Sequence, residues 1–270
     1  ICKPKPSKAV ELILKRNAGK YKGVVFTGGE PTLRNDIIRL VRVAKKLGYG
    51  RIQIQTNGRL FSYPEFCEDM IDAGANEFSP AIHGPNSSVH DFLTSAEGSF
   101  IQTIRGIRNL RRSKQYVLTN TVITTSNFRL LPEIARLLVD LDVNQFQFAF
   151  PHITGSAWLN RNWLIPSLHQ ITPFVKKALR IGIMAGKRAV TEAIPYCIMP
   201  GYEQCVAESS IPETKVFDAG LVVKDYAQYR VTNGKTKGRM CTCCKYYKVC
   251  EGPWKEYPEL FGWREFTPKE

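Results

Sequence analysis

Five times in its first 150 residues, a short β-rich stretch gives way to a stretch with apolar residues at helical spacing. The strand-like pieces are Gly23–Phe26, Ile52–Thr56, Asn76–His83, Tyr116–Ile123 and Phe146–Phe150. The intervening helix-like pieces include Ile37–Leu47, Phe66–Ala73, Phe100–Leu110 and Leu130–Leu141, and an amphipathic run with Val10, Leu12, Ile13 and Leu14 precedes them. Ser7 and Ser99 are candidate N-caps. Strands that alternate with helices lie parallel, because a parallel pair needs a long crossover. The expected class is therefore α/β, either an open doubly wound sheet or a barrel. Both architectures bind ligands at the carboxyl ends of their strands. Those ends carry Gly28–Pro31, Thr56–Gly58, His83–Pro85 and Pro151–Gly155.

Beyond residue 151 the rhythm weakens. Residues 151–167 read as a linking loop, and Ile171–Ile181 reads as one more helix. From about Ile194 the chain is irregular, with Val216–Val223 and Tyr226–Val231 as a candidate hairpin. Four of the eight cysteines (Cys241, Cys243, Cys244 and Cys250) fall in this part within ten positions, and Cys197 and Cys205 precede them. Cys2 and Cys67 stand apart; Cys67 lies in an apolar helical pattern and is expected in the core. Such tight clustering in a chain of 270 residues points to metal ligation rather than a disulfide scaffold.

Lysine and arginine exceed aspartate and glutamate by 38 to 24, a net charge of +14. That balance suits anionic partners, nucleic acid among them, or simply a solvated basic surface. The basic runs lack the interleaved aromatics of a single-strand binder. No apolar run approaches the ~18–20 residues of a membrane span. The expectation is a cytoplasmic protein without a membrane partner.

Gly28-Gly29-Glu30-Pro31 places two glycines and a carboxylate at a strand's end. Such a carboxylate suits a ligand ammonium, and a tight turn with a surface glutamate is the alternative. Phe26-Thr-Gly-Gly-Glu-Pro-Thr-Leu33 resembles the methionine-binding motif of radical S-adenosylmethionine (SAM) enzymes. Gln55-Thr-Asn-Gly58, Ile82-His-Gly84 with His90-Asp91 and Gly98-Ser-Phe100, and Asn120-Thr-Val-Ile123 with Asn127 resemble further segments of that family in the same order. The match covers most of residues 2–155.

The resemblance implies a partial (β/α)6 TIM-type barrel lacking its first strand, with a small Cys-rich C-terminal α+β extension. It implies SAM contacts from Gly28, Gly29, Glu30 and Pro31, with Thr56, Asn57 and Asn120 near the cofactor. The family often places a serine at the end of its fourth strand; Ala81 stands there instead. His83 and His152, at strand ends, are candidates for substrate contact or proton transfer. The family's Cys-x3-Cys-x2-Cys loop holds a [4Fe–4S] cluster, and Cys2 fits its third cysteine. The first two cysteines would then lie upstream of Ile1, and without them this fragment would be inactive. A relative that has lost its chemistry, with Cys2 a bystander, is the alternative.

Cys241-x2-Cys244-x5-Cys250 is a compact ligand set wanting a fourth member, with Cys197 first choice, Cys205 second and Cys243 an extra. It resembles the SPASM/twitch auxiliary-cluster signature, except that Trp254 stands where full SPASM domains carry a further cysteine. That departure implies one auxiliary [4Fe–4S] cluster; zinc or unligated thiols remain open. The organisation expected is a core barrel over 1–155, a linker and final helix over 156–190, and an auxiliary-cluster segment over 191–270. The implied activity is reductive SAM cleavage and hydrogen abstraction from a peptide or small metabolite. A one-electron donor such as ferredoxin or flavodoxin would serve it. The alternatives are an RNA-modifying relative and a zinc-stabilised binding protein on the same fold.

Overall fold

The computed structural model describes residues 5–218 and 220–270. Six strands form one sheet in the order of the chain: β1 (Gly23–Phe26), β2 (Arg51–Thr56), β3 (Glu77–Pro80), β4 (Tyr116–Val122), β5 (Gln145–Ala149) and β6 (Arg188–Glu192). β1, β2, β3 and β4 pair in parallel, with Gly23 opposite Arg51, Gln53 opposite Glu77 and Glu77 opposite Tyr116. Helices fill the crossovers: α1 (Ser7–Asn17) before β1, then α2 (Ile37–Lys46), α3 (Pro64–Asp72), α4 (Ser87–Thr94), α5 (Ser99–Arg112) and α6 (Leu131–Asp140). This is the α/β architecture expected of a partial TIM-type barrel. No helix among the described residues is long and apolar enough to cross a membrane.

The chain forms two compact units. The first holds the chain up to Ile82, Asn86–Asn120 and Leu138–Gln145. Here Leu40, Val41 and Ala44 line one face of α2 and are fully buried, as are Ile52 and Ile54 of β2. Gln53, on the other face of β2, is buried too and donates to Glu77 at 2.8 Å. A parallel strand covered on both faces needs such a partner for each polar side chain. α5 approaches the loop after β2 closely: a Cβ on Gly106 would lie 2.4 Å from the Gly58 carbonyl oxygen. Thr103 of α5 donates to the Asn57 carbonyl at 2.9 Å, which fixes that loop.

Asp91 ties α4 to the start of α5. Its carboxylate accepts from Gly98 N at 2.8 Å, Ser99 Oγ at 2.8 Å and Phe100 N at 2.7 Å. The His-Asp and Gly-Ser-Phe segments thus form a helix cap, with His90 buried against Phe100. Gly98, rather than Ser99, occupies the N-cap position. Likewise Pro6 precedes α1, and the Ser7 hydroxyl donates to Asp36 instead of capping.

The second unit holds His83–Pro85, Thr121–Leu137 and Phe146–Glu270. Two single-turn helices, α7 (Ser156–Leu159) and α8 (Arg161–Leu164), occupy the stretch read as a loop. α9 (Leu168–Met184) opens with a capping box between Ser167 and Gln170 and buries Ile171, Val175, Ala178 and Leu179. β6 follows and was not foreseen: its charged ends, Arg188 and Glu192, hide a core of only three residues. A short β7 (Val216–Phe217) pairs antiparallel with β8 (Val222–Val223). The expected second arm of that hairpin is helical instead, as α10 (Tyr226–Tyr229), because Asp225 caps its start by accepting from Gln228 N. α11 (Tyr257–Phe261) closes the unit, with Tyr257 fully buried.

Candidate functional site

Glu30 lies just beyond β1 and binds two neighbouring strand ends together. Its Oε1 accepts from Thr32 N at 3.1 Å, Thr32 Oγ1 at 2.7 Å and Thr56 Oγ1 at 2.7 Å. Its Oε2 accepts from Asn57 N at 2.6 Å. A carboxylate offers about four lone-pair sites, two on each oxygen. Oε1 is therefore saturated, whereas Oε2 keeps capacity for a ligand donor. Gly28, at φ +127°, and Gly29 stand beside it, and a Cβ built on either meets no atom within 4 Å. Bare backbone bordering open space, next to a carboxylate oxygen with spare capacity, fits the amino-acid end of SAM. Pro31 is buried and starts the short 3-10 turn Pro31–Leu33. Thr56 is buried, and Asn57 Oδ1 accepts from Arg59 N at 2.9 Å.

Asn120 sits in β4, bridged in parallel to Ala81, and its carbonyl accepts from Ile82 N at 3.1 Å. In the second unit His83 is bound through its backbone, its carbonyl accepting from Asn127 Nδ2 at 2.9 Å. Its ring Nδ1 accepts a long bond from Val122 N, at 3.4 Å. Cys2 lies outside the described residues.

His152 follows β5 and lies flat on Trp254, with centroids 4.0 Å apart and planes at 16°. Its Nε2 stands 3.9 Å from Glu256 Oε2. Burial lowers the His152 pKa; Glu256 opposes that, while Lys235, Lys255 and Arg230 add to it. Behind Trp254 lies a buried ion cluster. Arg230, 3% exposed at its side chain, reaches Glu192 at 2.5 Å, Glu251 at 3.0 Å and Glu208 at 3.8 Å. Lys235 stands over the Trp254 ring at 3.9 Å, and burial first of all pushes its pKa down to about 8.

Cys197, Cys241, Cys244 and Cys250 line a single pocket, walled by Tyr196, Tyr246 and Phe266. The 3-10 turns Tyr196–Ile198 and Arg239–Cys243 present the first two. Cys244 Sγ accepts from Lys269 N and Cys250 Sγ from Gly252 N, both at 3.4 Å. Burial raises the Cys250 pKa, and the Gly252 N–H opposes that rise. Burial pushes the Cys197 thiol up to about 12, and Cys250, Cys241 and Cys244 push the same way. A positive centre would offset the burial that disfavours the Cys197 and Cys250 thiolates. Among the described residues no three His, Cys, Asp or Glu side chains stand as a preformed site for one metal ion. The donor set nevertheless suits an iron–sulfur cluster.

The remaining cysteines stay outside this cavity. Cys205 is buried elsewhere, with its carbonyl accepting from Thr191 Oγ1. Cys243 is exposed and donates to the Met240 carbonyl. Cys67 is buried and donates to the Phe61 carbonyl at 3.0 Å. Sequence reading missed Thr32, whose place two residues past Glu30 was a usable signal. It also missed Glu256 and Lys235, whose partners His152 and Trp254 give no local sign.

The Radical SAM superfamily profile matches residues 4–138, half of the chain. PqqA peptide cyclase of Rhodopseudomonas palustris is 30% identical over 212 residues, 77% of this chain and 55% of that protein. AdoMet-dependent heme synthase of Oleidesulfovibrio alaskensis is 32% identical over 134 residues, 50% of this chain and 34% of that protein. The chain thus spans about a third to a half of these relatives' lengths. SuiB of Streptococcus suis, solved bound to S-adenosylmethionine, shares the fold with a TM-score of 0.70 at 16% identity, over 99% of this chain and 70% of its own.

Proposed function

The chain belongs to the radical SAM superfamily, and from that premise we propose that it is the core of a peptide-modifying radical SAM enzyme with one auxiliary [4Fe–4S] cluster. In this reading Cys197, Cys241, Cys244 and Cys250 hold the auxiliary cluster. Glu30 Oε2 binds the SAM ammonium, Gly28 and Gly29 give the methionine end its room, and Thr56 and Asn57 position Glu30. Cys2 is a ligand of the catalytic cluster in this reading. When bound, SAM and its cluster supply hydrogen-atom abstraction, the chemistry a protein positions rather than performs.

The observation that carries this reading is the convergence of Cys197 with the compact Cys241, Cys244 and Cys250 set on one pocket. A peptide substrate is preferred because the peptide-cyclase similarity extends over 77% of the chain, while that to the heme synthase covers half. The test is anaerobic reconstitution of the full-length protein, with iron and acid-labile sulfide analysis. Replacing Cys197, Cys241, Cys244 or Cys250 by serine removes roughly four irons per chain. Serine at Cys67, Cys205 or Cys243 leaves iron unchanged. A wild-type protein that takes up zinc alone and releases no 5′-deoxyadenosine from SAM overturns the proposal.

A further inference from the structure

Glu256 Oε2 is buried and has no hydrogen-bond partner among the described residues. A buried polar atom left without a partner bears its full desolvation cost and calls for a reason. The nearest basic group is His152 Nε2, 3.9 Å away. That gap is too long for a hydrogen bond with a neutral ring and short enough for strong attraction to an imidazolium. The imidazole cannot wander, because Trp254 lies flat against it. The indole is itself held, its N–H pointing at the Phe150 carbonyl at 3.4 Å. The His152 side chain is 44% exposed, on the loop after β5, at the strand end where sheets of this class take their ligands.

Building on the proposed function, we propose that His152 Nε2 is a proton acceptor for substrate and that Glu256 is the positioning residue that holds the resulting imidazolium. In the step, a heteroatom–hydrogen bond of the substrate breaks and its electron pair stays on the heteroatom. The proton forms an Nε2–H bond, and the charge of the resulting imidazolium lies 3.9 Å from Glu256 Oε2. The step is complete as a proton transfer and needs no oxidant. The charged groups facing His152 are Glu256, Lys235, Lys255 and Arg230. Burial and the three cations lower the ring's pKa and so favour the neutral form that accepts a proton, while Glu256 opposes them. The buried oxygen then has a reason: it faces a cation once the proton is taken.

The test uses the full-length reconstituted enzyme in two arms. In the first, diethyl pyrocarbonate labels the protein across the acid-to-neutral pH range, and peptide mass mapping reads the rate at His152 alone. The rate follows the neutral imidazole, so it reports the His152 pKa without any substrate. E256Q removes the charge that raises this pKa, so His152 loses its proton at lower pH and labels faster in mild acid. An unchanged His152 titration in E256Q overturns the pairing. In the second arm the probe is the low-mass peptide extract of the source cells, with dithionite and SAM. In H152Q modified peptide is expected to fall about a hundredfold, as for loss of a general base. E256Q is expected to retain part of the activity and shift the acid limb of its pH profile downward. Unchanged peptide modification in H152Q overturns the proposal while leaving the SAM reading intact. A wild type that releases no 5′-deoxyadenosine refutes the SAM reading instead, and the labelling arm still decides the pairing.

Discussion

Gly252→Ala should be among the most damaging small substitutions in the Cys-rich segment. Gly252 sits at φ +83°, and a Cβ there would lie 1.9 Å from the Thr236 carbonyl oxygen and 2.9 Å from its carbon. Carbon and oxygen rest no closer than about 3.3 Å, so one backbone must retreat by over 1 Å. That backbone is pinned: Thr236 N donates to the Pro253 carbonyl at 3.0 Å, and Lys255 N to the Gly234 carbonyl at 2.9 Å. Gly201 supplies the control. Its φ is +81°, and a Cβ there meets nothing within 4 Å. The left-handed backbone alone costs alanine roughly 1–2 kcal/mol, and both variants incur that. Breaking the two pinned hydrogen bonds adds about 1–3 kcal/mol at G252A. At roughly 2–4 °C per kcal/mol for a chain of this size, G201A lowers Tm by a few degrees, and G252A by about twice as much. Differential scanning calorimetry of both apo-proteins reads the difference. Equal Tm values would refute the steric argument, since only the clash separates the two sites. Because Gly252 N also points at Cys250 Sγ, G252A should lose cluster iron where G201A does not.

Three further expectations follow from single contacts. Glu30→Gln keeps the shape of the side chain but loses the charge offered to an ammonium; at about 1.5–3 kcal/mol for a charged hydrogen bond, SAM affinity by equilibrium dialysis weakens by roughly 10- to 100-fold. Arg230→Met strands Glu192, Glu208 and Glu251 around a buried gap, and urea unfolding should show a loss of roughly 3–5 kcal/mol. Burial alone would raise the Asp91 pKa, but the hydrogen bonds from Phe100 N, Ser99 Oγ and Gly98 N outweigh it and hold the carboxyl below the usual range. Its contribution is present above the unfolded-state pKa and lost as pH falls through the lower folded one. Wild type and Asp91→Asn should therefore differ in Tm at neutral pH and converge in acid.

Much of the first unit was legible because its determinants are local. Leu40, Val41 and Ala44 announce α2 by their spacing, and Ile52 and Ile54 announce β2 by theirs. The Gly-Gly-Glu-Pro turn was equally plain as a motif, although Thr32, which anchors Glu30 from two residues on, was missed. Where reading failed, a short-range competitor had won. Gly98, free to adopt φ +76°, took the cap position from Ser99, and the Asp225 cap made a helix of a stretch whose Tyr and Val content suggested a strand. β6 escaped because three apolar or β-branched residues between charged ends carry too weak an alternation to register.

The Cys-rich segment was legible as composition but not as geometry, for a reason its contacts make explicit. Nothing in the spacing separates Cys197 from Cys205 as the companion of Cys241, Cys244 and Cys250. What separates them is that Cys197 stands on a 3-10 turn beside Tyr196, which stacks on Tyr246 at 4.8 Å, whereas Cys205 is buried under Thr191 of β6. Tyr196 and Tyr246 are fifty residues apart, so no local pattern encodes which cysteine joins that pocket. The same holds for Glu256. It looks like one more surface acid in Trp-Lys-Glu-Tyr, until Trp254 is seen to carry His152 from over a hundred residues away. Chemistry-bearing side chains in such a segment acquire their roles from the tertiary fold, and sequence alone can only nominate them.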